Sequence, residues 1–252
     1  YGYAFGDDTK CGVTAEQQDG YLDPNVANTQ AQVQEVIKEL TRLSQHYEKL
    51  LYTSGGALNI KKCHWGMMAW RWVQGKAYLM TIDESPGKLF LTSGSSEIPD
   101  EVPRIEPTTS YRTLGVHISM NGSMKKSLTL ARQKSVDYAG LVANSTMTRC
   151  EAYFSYVLYV YPTISYALPV STFTKKECSY IQAPAMSAFL PKIGLNRHTS
   201  RAIIHGPPRY GGLSLADVYT DQGLGQLRLL VGHLRRDDQS SKLLKVMRTQ
   251  NQ

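Results

Sequence analysis

Phe5-Gly6-Asp7-Asp8 sets two adjacent carboxylates behind a short run in which Tyr1, Tyr3 and Phe5 recur at every second residue. Such alternation, followed by Gly-Asp-Asp and then Thr9 to Val13, predicts a strand, a tight turn and a second strand over residues 1–13. Two chemistries suit the acidic pair. It can be a hydrated hairpin turn. It can also present hard oxygen donors to divalent cations, which take one or two carboxylates together with substrate phosphates. Two such cations about 3.5–4 Å apart can activate a hydroxyl and stabilise a leaving pyrophosphate. Lys61 and Lys62, in SGGALNIKKC, are either solvated charges or donors to a leaving anion. His64, His117, His198 and His205 show neither metal-ligand spacing nor an acid partner.

The elements that must position these groups follow from periodicity. Val33, Val36, Ile37, Leu40, Leu43, Tyr47, Leu50 and Leu51 predict a helix over residues 29–53, capped by Asn28 and stopped by Gly55-Gly56. The stretch LNIKKCHWGMMAWRW reads as a strand, turned at Val73-Gln74-Gly75-Lys76 into a second strand near Ala77–Thr81. A loop-rich meander containing KLFLT follows, then a strand over YRTLGVHI, residues 111–118. Trp65, Trp70 and Trp72 are candidates for stacking on bases, but Trp on a strand is more commonly packing. From Ser123 onward the pattern is helical. Helices are expected over 124–144, over 147–161 with a stop at Pro162, from Thr174 to about Leu190 before Pro191, and from about Ala216 to Arg235. Thr174 and Glu177 form a capping-box pair, and Pro184 is a candidate kink. GPPRYGGL is a turn, and the final polar residues are expected to fray.

Composition narrows the function classes. There is no apolar run long enough to span a membrane and no secretory leader pattern. The four cysteines are scattered without a C-x-x-C pair, which argues against zinc and for reduced intracellular thiols. Residues 1–110 hold 10 Lys and Arg against 14 Asp and Glu, a net of −4, and residues 111–252 hold 18 against 7, a net of +11. An acidic part that could hold cations beside a basic part suits a polyanionic partner, although dispersed Lys and Arg also solvate helix faces.

The aromatic-x-Asp-Asp hairpin, the amphipathic helix, SGGALNIKKC and YRTLGV, in that order, resemble the downstream half of a reverse transcriptase polymerase domain. The GPPRYGGLSLADVYTDQGLGQLRLL segment is similar to one found beyond the thumb in non-LTR, LINE-like retrotransposon polyproteins. The resemblance spans nearly the whole chain, its motifs are short, and their order carries it. It implies that Asp7 and Asp8 are catalytic ligands for Mg²⁺, with Mn²⁺ as an alternative, and that Lys62 assists the departing pyrophosphate. Gly6 stands where the family usually has Ala, Val or Met. Leu114-Gly115-Val116 takes the place of the primer grip, with Thr113 where an aromatic is usual.

The fold expected from this is α+β: a partial palm of antiparallel strands and one long helix over residues 1–118, with a β insertion at about 73–110. A helical thumb over 119–190 and a helical extension over 191–252 follow. Arg112, Lys125, Lys126, Arg132 and Lys134 are the expected contacts to an RNA template–DNA primer duplex, with dNTP as the other substrate. The chain starts within a strand and without Met, so it reads as a fragment. Its fingers and third palm Asp are expected upstream in the same polyprotein, and the piece alone is expected to be inactive. Two other readings are a non-catalytic nucleic-acid-binding remnant of a retroelement and a metal-dependent hydrolase.

Overall fold

The computed structural model describes residues 2–5, 8–11, 30–94, 97–236 and 241–242. Gly6, Asp7, the Pro24 loop, the Asn28 cap and most of the terminal residues beyond Arg236 lie outside this set. The architecture is α+β, with small antiparallel hairpins followed by a mainly helical C-terminal region. The chain divides into two compact units, residues 1–123 and 124–252.

In the first unit, β1 (Gly2–Phe5) pairs with β2 (Asp8–Cys11), as the alternating sequence requires, in the register Gly2↔Cys11 to Phe5↔Asp8. Helix α1 (Gln30–Thr53) ends at Gly55, whose φ of +88° lets the amide of Gly56 reach back to the Leu51 carbonyl at 2.9 Å. Its buried stripe is not wholly apolar. Val33 and Ile37 are buried as expected, but 11 residues on, three helical turns, the stripe is continued by Glu48, while Leu50 faces solvent.

The expected long strand after α1 is broken up. Ile60–Lys62 form a 3-10 turn that buries Ile60 and exposes both lysines, and Trp65 makes a single parallel bridge to Arg104. Only Trp70–Val73 is strand (β3). It pairs with β4 (Lys76–Leu79) through a two-residue turn in which Gln74 and Gly75 both have positive φ. β5 (Leu89–Leu91) pairs with β6 (Asp100–Val102), which has no obvious alternation in the sequence. The YRTLGVHI stretch is a hairpin, not one strand: β7 (Ser110–Thr113) turns at Leu114-Gly115 into β8 (Val116–Ser119). The core of this unit gathers Val33 and Ile37 with Ile60, Trp65, Met67, Leu89, Leu91 and Val102. Trp65 is therefore packing, and its Nε1 donates to the Val102 carbonyl at 3.1 Å. Trp70 is exposed.

The second unit is built on α2 (Lys125–Ala143) packed against a proline-containing helix over Lys175–Lys192. α3 (Arg149–Phe154) starts at a Thr148–Glu151 capping box and runs through a wide π turn at Ser155–Val160 into α4 (Tyr161–Ser165). Pro162 does not stop this helix. The wide turn puts the Tyr161 amide on the Tyr156 carbonyl, five residues back, immediately before the proline enters. α5 (Lys175–Lys192) starts at the expected Thr174–Glu177 box and likewise continues through Pro184 and Pro191. Proline removes the amide that would bond the carbonyl four residues back. For Pro184 that carbonyl belongs to Tyr180, and Arg132 Nη1 of α2 donates to it instead. The next amide, of Ala185, donates to the buried Ser135 Oγ at 3.1 Å. α2 thus supplies side-chain partners at the interruption.

A short α6 (Arg201–His205), unforeseen in the sequence, precedes the GPPRYGGL turn and α7 (Val218–Arg236). Tyr138, Tyr156, Ile181, Phe189, Ile204, Leu215 and Val218 share one core, and the Tyr156 and Phe189 rings stack at 4.8 Å. Among the described residues no helix is long and apolar enough to cross a membrane.

Candidate catalytic and nucleic-acid-binding site

The β1–β2 register fixes what can be said of the acidic pair. Phe5 and Asp8 face each other as the last described pair of the ladder, so the aromatic and the second acid flank the connection. Asp8 opens β2 by its backbone. Asp7 and the Asp8 side chain lie outside the described set. Among the described residues, no group of three or more His, Cys, Asp or Glu side chains could hold a metal ion.

Lys62 closes the 3-10 turn, its amide donating to the Asn59 carbonyl at 2.9 Å while its side chain is exposed. The turn packs against β6. What holds this segment was not read from the sequence. Glu48, 2 % exposed, accepts the Leu58 amide on Oε2 at 3.0 Å and the Gly94 amide on Oε1 at 2.6 Å. One turn earlier on α1, Gln45 makes a two-bond pair with the backbone of Thr92, at 2.9 and 3.2 Å. Ser93 Oγ completes the clasp by donating to the Leu58 carbonyl at 2.7 Å. Burial, and then the nearby Glu48 charge, push the Cys63 thiol up. The signal was available: a carboxylate on the apolar stripe of an amphipathic helix must meet buried donors.

At the proposed primer grip, Leu114 (φ +48°) and Gly115 (φ +82°) form the two-residue turn of β7–β8, and Val116 is buried. Gly suits this backbone. Leu does not, because a left-handed conformation costs a residue with a Cβ about 1–2 kcal/mol. Leu114 is nonetheless 51 % exposed at the tip. Leu114→Asn is expected to stabilise the chain by about 1 kcal/mol, read as a raised urea midpoint. An unchanged or lowered midpoint would show that the Leu side chain supplies compensating packing.

The five basic residues divide. Arg112, on β7 opposite His117, and Lys125 and Lys126, in the first turn of α2, are exposed. Arg132 is tied to α5: beyond its bond to the Tyr180 carbonyl, its guanidinium lies over the Tyr180 ring, 4.1 Å from the centroid. Lys134 remains exposed but donates to the Thr163 carbonyl at 3.0 Å. Two of the five therefore serve helix packing whatever else they bind. Comparison of the chain with protein-family models, with curated proteins and with solved structures finds no match.

Proposed function

We propose that this chain is the downstream part of a reverse transcriptase polymerase domain, its first unit palm and its second unit thumb and extension. The observation that carries the reading is the β1–β2 pairing: an antiparallel ladder whose last described pair is Phe5↔Asp8 sets the aromatic and the second acid of an aromatic-x-Asp-Asp motif on opposite strands of one hairpin. The order that follows supports it, with a long helix, an exposed lysine on a clasped turn, and a tight hairpin at Leu114-Gly115.

In this reading Asp7 and Asp8 supply carboxylate oxygens of the type Mg²⁺ and Mn²⁺ take, and a further palm Asp comes from the upstream part of the same polyprotein. Bound metal would lower the barrier to attack of a primer 3′-hydroxyl on the α-phosphorus of a dNTP. Lys62 then offers a proton or positive charge to the pyrophosphate as its P–O bond breaks. The backbone at Gly115 is open enough to let a primer strand approach. Arg112, Lys125 and Lys126 contact phosphates, which requires charge and position but no base recognition.

The binding half of this reading is testable on the chain itself. Three phosphate contacts should weaken RNA–DNA hybrid binding roughly 40-fold between about 50 and 200 mM salt, and Lys125→Ser with Lys126→Ser should flatten the log–log slope by about 2. Arg132→Met should change stability more than slope. Affinity independent of salt, measured by fluorescence anisotropy, would contradict the assignment.

A further inference from the structure

The second unit carries a hollow of about 330 Å³ that plays no part in the polymerase reading, lined by Arg149, Cys150, Tyr153 and Phe154 of α3 together with Ile193, Leu195 and Leu213. That is the small end of the usual range for ligand sites, room for one ring system and its substituents. We propose that it binds one nucleotide of a single-stranded nucleic acid, the base against Tyr153 and Phe154 and the phosphate on Arg149.

Three observations carry this. The wall is aromatic: the Tyr153 and Phe154 rings meet edge to face, 5.9 Å apart at 78°, and Phe154 is 56 % exposed and so open to a ligand. A base stacks on such rings whatever its identity. The rim carries a positioned cation. A Cβ built at Gly194 would lie 3.0 Å from the Arg149 guanidinium carbon, so the group rests close over the Gly194 backbone. Among the described residues Arg149 has no partner, and the nearest acid in sequence, Glu151, is committed to the Thr148 amide and hydroxyl. Finally, residues 124–252 hold 17 Lys and Arg against 7 Asp and Glu, so the unit attracts a polyanion over a small anion of equal chemistry. The site stands or falls independently of Asp7 and Asp8.

Cys150, exposed within the lining, serves as the reporter. The 252-residue chain is treated with N-ethylmaleimide with and without a 5′-phosphorylated hexauridylate at saturating concentration, and alkylation of the Cys150 peptide is followed by mass spectrometry. The expected result is alkylation slowed at least fivefold by the oligonucleotide, with the protection lost in Arg149→Gln and in Phe154→Ser. Both replaced side chains are exposed, and thermal melts establish that the variants fold. Equal alkylation with and without bound oligonucleotide would overturn the proposal. So would protection by a blunt RNA–DNA hybrid equal to that by the single strand, or protection by octanoate and not by the oligonucleotide. Protection retained in Arg149→Gln would remove the phosphate contact on which the assignment depends.

Discussion

Asp7→Asn and Asp8→Asn are each expected to reduce nucleotide addition by about 10²–10³-fold in a polypeptide that joins this chain to upstream fingers and palm. In the proposed reading the replaced oxygens offset charge as the primer hydroxyl ionises and pyrophosphate departs, and removing one such electrostatic contact commonly costs about 10²–10³-fold. Asn keeps the size and turn preference of Asp, so the hairpin register Phe5↔Asp8 should persist. Single-turnover primer extension on an RNA template separates the outcomes: a lost chemical step with template–primer affinity intact fits the assignment. Wild-type rates in both variants would return the Asp-Asp pair to an ordinary hydrated turn.

Glu48→Ala is expected to destabilise the first unit by about 3 kcal/mol. The carboxylate is buried and accepts two backbone amides, those of Leu58 and Gly94. Truncation leaves both donors without their acceptor, and each orphaned group costs about 1–3 kcal/mol. Glu48→Gln keeps one good acceptor and should cost roughly half as much. Because Leu58 lies two residues before the turn that ends at Lys62, hydrogen exchange should accelerate at Leu58, Lys62 and Gly94 before it does in β3–β4. A urea midpoint unchanged in Glu48→Ala, with Leu58 still protected, would mean that the clasp contributes nothing.

These expectations mark where the sequence was legible. The hairpin at residues 2–11, helix α1, the Gln74-Gly75 turn and the Thr174–Glu177 box are local structures. Each is specified by residues within a few positions of one another, and each forms where the pattern predicts. The departures have distant causes. Pro162 looks like a helix stop and Pro184 like a kink because the local effect of each is to remove an amide. In the folded chain a π turn accommodates one, and Arg132 and Ser135 from another helix answer the other. Arg132 itself read as a phosphate contact because charge is visible in a sequence and an orphaned carbonyl across a helix interface is not.

The site divides in the same way. Leu114-Gly115-Val116 was identified as a unit, but its hairpin form was hidden, since Leu is an unfavourable residue for a positive φ and the strand residues on both sides look continuous. The LNIKKC segment reads as the start of a strand because LNIKKCHWGMMAWRW is aromatic-rich and lacks a helical period. Its shape is set by Glu48, Gln45 and Ser93, whose partners sit 10 to 47 residues away. Glu48 was the missed residue, hidden because a Glu on a helix is ordinarily solvated and only its place on the buried stripe argues otherwise.

The central claim is that Asp7 and Asp8 bind divalent metal beside a primer terminus, and iron-directed cleavage tests it most directly. Fe²⁺ bound in place of Mg²⁺, with ascorbate and peroxide, generates short-range radicals that cut the nearest backbone. With template–primer present, the expected cuts fall within residues 5–9 and at the primer 3′ end, are suppressed by excess Mg²⁺, and vanish in Asp7→Asn with Asp8→Asn. Cleavage absent from the hairpin, or present there but indifferent to Mg²⁺ and to both substitutions, would contradict the account.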